Sequence, residues 1–180
     1  MRTFSLINGL AVFLKNGEEA GCVCDIYISE QGRVTGIAMK AKGLFPKKYR
    51  LPIESVIAIG PDGILIDSKE HLQRGHEEDG EYTLLHHQPL LGRKTLSMEG
   101  ECLGELEDVY FLEKLGTIVG YELTDGFFAD IIEGKRVIST PVPPLIGKDA
   151  IIVSTDYMRG GLPYDEMSKL PEQGLGENRY

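Results

Sequence analysis

Two cysteines one residue apart, Cys22 and Cys24 in "GCVCDI", are the first residues whose types invite chemistry. Paired thiolates bind zinc from a knuckle when two to four residues separate them, and C-x-C lacks that spacing. Nor do thiols so close along one strand meet the geometry of a disulfide easily. All four histidines fall in residues 71–87, and only His71 and His76 come near a ligand spacing, so solvated linker histidines are expected and neither a metal nor any other cofactor is. Asp25 and Asp108 stand at matching places of a repeat described below. Acid–base work by two carboxylates needs both at one pocket, whereas one carboxylate per repeat reads as a structural acceptor for backbone N–H groups of a neighbouring glycine turn. No G-x-S-x-G, Walker A or dinucleotide fingerprint occurs. The chain is therefore expected not to be an enzyme. A metal or redox enzyme remains the catalytic alternative, and it would need metal in the purified protein or a shared pocket near the cysteines.

The second feature is "KAKGLFPKKYR", residues 40–50, which sets Lys40, Lys42, Lys47, Lys48 and Arg50 around Phe45 and Tyr49. Cations interleaved with aromatic rings suit a phosphate backbone and stacked bases. They equally suit an acidic protein, or the acidic part of a neighbouring copy of this chain, and a solvated hairpin needs no partner at all. For this loop a solvated hairpin is the first expectation, ahead of a protein partner and then RNA; for the chain as a whole a protein partner of unidentified nature is expected, with RNA as the alternative and a homo-oligomer left open.

These residues are positioned by a repeat. "NGEEAGCVCDIYIS" (16–29) returns as "EGECLGELEDVYFL" (99–112), an offset of 83 that lays Gly17 on Gly100, Gly21 on Gly104, Asp25 on Asp108 and Tyr27 on Tyr110. "GRVTGIAMKAKGLF" (32–45) answers "GTIVGYELTDGFF" (116–128), and "IGPDGILI" (59–66) answers "IGKDAIIV" (146–153). β-Branched and aromatic runs cut by glycine predict short strands near 10–14, 20–29, 33–40, 48–51, 56–59 and 63–66, then 93–97, 103–112, 117–123, 129–133, 136–139 and 150–153. The glycine pairs read as a tight turn followed by a strand start where backbones come close, with Gly21 and Gly104 structural. Small bent sheets closed into barrels follow.

On a strand, alternate residues share a face, so Cys22, Cys24, Ile26 and Ile28 form one row and Val23, Asp25 and Tyr27 the other. The repeat places Glu105 and Glu107 over the two cysteines, and carboxylates do not favour a small core. That row should face outward. In the first repeat it is too apolar for water and is expected to be covered by the other barrel, the linker or a second subunit.

The predicted organisation is a first barrel over 1–68, a polar linker over 69–88 with a helical turn at 67–74 and a docking strand at 81–86, a second barrel over 89–155 and a polar tail over 156–180. Residues 1–66 carry 8 Lys/Arg and 6 Asp/Glu, whereas 91–153 carry 6 and 11. The two repeats thus differ in sign within a chain of net charge −9. No apolar run is long enough for a membrane span and no signal-peptide core builds up at the start, which with three cysteines, an odd number, predicts a cytoplasmic protein with reduced thiols.

The pattern in "GEEAGCVCDI", then "GRVTGI" and the Leu-Pro-x-x-x-Val of "LPIESVIAIG", resembles the PRC-barrel, the small β-barrel of the photosynthetic reaction centre H subunit and of the C-terminal domain of RimM. Over residues 5–155 the chain is similar to the tandem PRC-barrel proteins of Gram-positive bacteria, the YrrD-like group. The second copy departs after Gly126, where "STPVPPLIG" replaces the longer Leu-Pro segment. The resemblance implies an all-β fold of two small PRC-type barrels in tandem and a binding or assembly role. It carries over no catalytic residue.

Overall fold

The computed structural model describes residues 1–43, 47–75, 80–114, 116–125, 136–139 and 142–154. The predicted strand at 129–133, Phe45, His76 and the tail from 156 lie outside them. Chain order is β1 (Arg2–Thr3), α1 (Phe4–Ile7), β2 (Ala11–Leu14), β3 (Glu19–Ser29), β4 (Val34–Ala41), β5 (Lys48–Pro52), β6 (Val56–Ile59), β7 (Ile64–Ile66), β8 (Gln73–Arg74) and β9 (Glu81–Thr83), with 3-10 turns at Ile53–Ser55 and Lys69–His71. The second half continues with β10 (Lys94–Ser97), β11 (Cys102–Phe111), β12 (Ile118–Thr124), β13 (Arg136–Ser139), β14 (Leu145–Ile146) and β15 (Ala150–Val153).

The strands form two sheets, ordered β6-β7-β2-β3-β4-β5-β8 with β9 on β3, and β13-β12-β11-β10-β15-β14 with β1 on β11. Among the described residues each is antiparallel except at one place, β2 with β7 and β10 with β15, and these parallel pairs occupy matching positions. The all-β reading holds and the repeat extends to topology. Glycine permits the close approach at the centre of each sheet. A Cβ on Gly21 would lie 2.1 Å from the Lys40 carbonyl oxygen, and one on Gly104 would lie 2.8 Å from that of Thr124.

A β-bulge in each long strand corrects the predicted rows. Val23 pairs with Met39 and Asp25 with Ala38, so Cys24 is an extra residue; likewise Leu106 pairs with Leu123 and Asp108 with Glu122, leaving Glu107 extra. An extra residue shifts the alternation by one. Ile26 and Ile28 therefore join Val23 in the main core at 0% exposure instead of sharing the cysteines' face. Cys24 packs apart from that core, with Tyr27 and Ala38.

The segment read as a linker is part of the repeat. Thr3 pairs with Tyr110 and Thr83 with Tyr27, so β1 docks on the second half's long strand and β9 on the first half's. Each half thus receives the strand that precedes the other half. After these strands, Phe4 and Ile7 are buried in one case and Leu84 and Leu90 in the other. The two turns rejoin their sheets alike, with Gly9 N–H donating to Val23 O and Gly92 N–H to Leu106 O. The hairpin tips of the halves also meet, Arg33 bridging Thr117.

Candidate functional site: the outer face of the first half

Cross-strand register puts Ala11 beside Cys22, Cys22 beside Lys40 and Lys40 beside Lys48. Directly paired residues share a face. The structure therefore joins two features that the sequence presented separately, the cysteine pair and the basic cluster. Lys40, Lys47 and Lys48 are exposed, Cys22 is half-buried and Cys24 buried. Burial pushes the Cys24 thiol pKa up, while the Lys40 and Lys48 ammonium groups, which favour a thiolate, offset part of that rise. An open depression lined by Lys47, Lys48, Tyr49, Arg74 and Gly75 adjoins this face.

Three members of the predicted basic surface stand elsewhere or are occupied. Lys42 Nζ lies 2.6 Å from Glu19 Oε2, an exposed ion pair. The Tyr49 ring packs against the main core, because its cross-strand partner Met39 faces inward. Arg50 is buried at 6% exposure rather than presented to solvent. Its guanidinium forms a two-pronged pair with Glu81, through Nη1 to Oε2 and Nη2 to Oε1, and Nη2 also donates to Thr35 Oγ1 at 3.1 Å. Thr35 Oγ1 in turn donates to Glu81 Oε1 at 2.8 Å, and the guanidinium stacks 4.5 Å above the Tyr27 ring. A buried charge pair persists only when its remaining donors and acceptors are met, which this arrangement does. Lysine, with one point charge, does not reproduce it.

Asp25 accepts hydrogen bonds mainly from the segment after β9, not from the glycine turn that the sequence suggested. It accepts from the N–H groups of Leu84 (3.0 Å), Leu85 (3.2 Å) and His86 (3.0 Å), besides Ile26 N–H at 2.9 Å. His86 Nδ1 lies 2.6 Å from Asp25 Oδ2. Asp108 repeats the role, accepting from Phe4 N–H (3.0 Å), Ser5 N–H (3.1 Å) and Val109 N–H (2.7 Å). His86, Glu81 and Thr35 were not singled out by sequence reasoning. The available signal was the correspondence of "TFS" with "TLL" ahead of each repeat.

In the second half the same outer face reads Lys94, Glu105 and Thr124, and Glu105 and Glu107 are exposed. Val137 stands where the first half has Arg50, and Glu122 accepts from the Tyr110 hydroxyl at 2.7 Å. Among the described residues no three His, Cys, Asp or Glu side chains gather as a metal site, and no helix is long and apolar enough to cross a membrane.

Residues 1–73 match the PRC-barrel domain family. The chain is also similar to the uncharacterized protein YrrD of Bacillus subtilis (strain 168), with 60% identity over 42 residues, which are 23% of this chain and 24% of that relative. The matched stretch thus spans about a quarter of the relative's length. The similarity to the PRC-barrel domain thus covers residues 1–73, the stretch from β1 to the start of β8.

Proposed function

We propose that this chain is a non-enzymatic binding or adaptor protein of tandem PRC-barrel type, acting in a cytoplasmic protein assembly through the outer face of its first barrel. The barrels expected over 1–68 and 89–155 are its binding units. The observation that carries the reading is the row Cys22–Lys40–Lys48, which combines a partly buried thiol with exposed cations where the second half has Glu105 and Thr124. Partly apolar faces rimmed by one sign of charge favour a partner of opposite sign, and the charge sets encounter rate and choice of partner more than affinity. Three unpaired thiols, Cys22, Cys24 and Cys102, suit a reducing compartment.

An RNA- or ribosome-associated role is the second reading, favoured by Lys40 and Lys48 on one face of the sheet and by the exposed Lys47 that precedes β5. The position of Arg50 weighs against it, since its phosphate-binding fork is committed to the buried pair with Glu81. Affinity capture at low and high salt, with and without nuclease, compares wild type with the Lys47→Glu/Lys48→Glu variant. A partner of protein nature lost with the variant and indifferent to nuclease supports the first reading; nuclease-sensitive retention supports the second. Partners unchanged by the variant overturn both uses of this face.

A further inference from the structure

We propose that the groove beside Asp108 on the second half is a strand-capture site, and that its alternative occupant is residues 2–7 of another copy of this chain. The inference deepens the reading of the protein as a binding module, without depending on the lysine face. Its basis is that one kind of groove occurs twice with different contents. In the second half it holds Thr3-Phe4-Ser5 and in the first Thr83-Leu84-Leu85, each through a short added strand followed by successive N–H groups on one buried aspartate, two on Asp108 and three on Asp25.

Main-chain pairing supplies most of the recognition, as in strand addition generally, and one apolar pocket supplies choice, taking Phe4 in one half and Leu84 in the other. A groove that accepts both side chains reads a Thr, a large apolar residue and a turn, not one exact sequence. Such a segment is contained in every copy of the chain. Exchanging it between copies keeps every contact of the groove and changes only the tether, here Asn8-Gly9.

The second half is the exchangeable one. Around Asp25 the captured segment is also held by the His86 ring and, at the start of β9, by the buried Arg50–Glu81 pair. Phe4 and Ser5 have on Asp108 only their two amides, and the adjoining Arg2 side chain is ion-paired to Glu113 at a partly exposed site and donates to Ile59 O. A tethered segment competes at an effective concentration of roughly millimolar. The closed form therefore dominates in dilute protein, and capture between chains appears when the tether's own segment is weakened or the chain is concentrated.

The test uses a labelled peptide of residues 1–10 and the full-length Phe4→Ala chain, read by fluorescence anisotropy. Saturable binding is expected, at least about tenfold weaker when Asp108→Asn is added to the protein or when the peptide carries Phe4→Pro, which lacks the capping N–H. Wild-type chain should bind the peptide roughly 100-fold more weakly, because its own segment competes. No binding to a folded Phe4→Ala chain, or binding indifferent to Asp108, overturns the proposal. Should that variant not fold, native-state hydrogen exchange of the wild type decides. Phe4 and Ser5 amides must exchange by local opening, at least about tenfold faster than those of Leu84 and Leu85. Exchange only through global unfolding overturns the proposal. Failure here leaves the Lys47/Lys48 capture result standing, so the two readings fail separately.

Discussion

Asp25 and Asp108, 83 positions apart, perform one task in exchange: each is buried in its own half and accepts backbone N–H groups from the segment that leads into the other half. The halves are consequently not beads on a linker. Two further bonds tie each exchanged strand back to the half that it leads into, the Tyr82 hydroxyl donating to Ile146 O and the Arg2 guanidinium to Ile59 O.

Removing either carboxylate strands several buried N–H groups, each costing about 1–3 kcal/mol when left without an acceptor. Asp25→Ala, which affects Leu84, Leu85 and His86, is expected to lower stability by about 3–5 kcal/mol, and Asp108→Ala by about 2–3 kcal/mol. Urea unfolding followed by two probes measures both. Because the segments cross between halves, each variant should lower a single shared transition; two separated transitions in either variant would show halves that fold independently.

The Arg50–Glu81 pair gives a second expectation. Glu81→Ala leaves a guanidinium buried without its carboxylate, a change of about 3–5 kcal/mol. Replacing both partners with apolar residues, Arg50→Met with Glu81→Leu, should recover more than half of that loss, since the stranded charge is removed with its partner. A double-mutant cycle in guanidinium chloride checks this, and a double variant as unstable as Glu81→Ala would contradict it.

How far the sequence showed these features depended on what each one requires. Most of the longer strands among the described residues were legible, because glycines punctuate runs of β-branched residues and the repeat supplies each pattern twice. The faces were not. Nothing in "CVCDIYI" announces that Cys24 is an inserted residue, and one insertion moved Ile26 and Ile28 from the predicted outer row into the core. Arg50 was read with its lysine neighbours because charge alone does not show a partner 31 positions away. The second repeat's opening was hidden by length: Thr3 to Ile7 is three residues shorter than Thr83 to Leu90, so a fixed offset of 83 fails there. Asp25 and Asp108 were recognised as structural acceptors by their recurrence, while their donors depended on that hidden exchange.

Glycine at the sheet centres should tolerate nothing larger, and unequally. A methyl group at Gly21 meets backbone oxygen at 2.1 Å, whereas at Gly104 the distance is 2.8 Å. Backbone cannot yield as a flexible side chain does, so Gly21→Ala should lower the melting temperature more than Gly104→Ala. Thermal unfolding monitored by circular dichroism decides, and the reverse order would mean that β4 moves away from β3 more readily than β12 from β11.

Thiol reactivity tests the joined face directly. Only thiolate is alkylated at a useful rate, so exposure and pKa together set the order. Cys102 is exposed, Cys22 half-buried, and Cys24 both buried and raised in pKa by that burial. Iodoacetamide at pH 8 followed by peptide mass analysis should therefore modify Cys102 first, Cys22 next and Cys24 last. The lysines add a sign: Lys40 and Lys48 lower the Cys24 pKa, so Lys40→Glu/Lys48→Glu removes two cations and adds two anions, raising it further. The pH at which Cys24 becomes reactive should move up in that variant, while Cys102 keeps its profile. An unchanged Cys24 profile would mean that the two ammonium groups do not act on the thiol, and with that the electrostatic unity of the Cys24 and lysine surface would be lost.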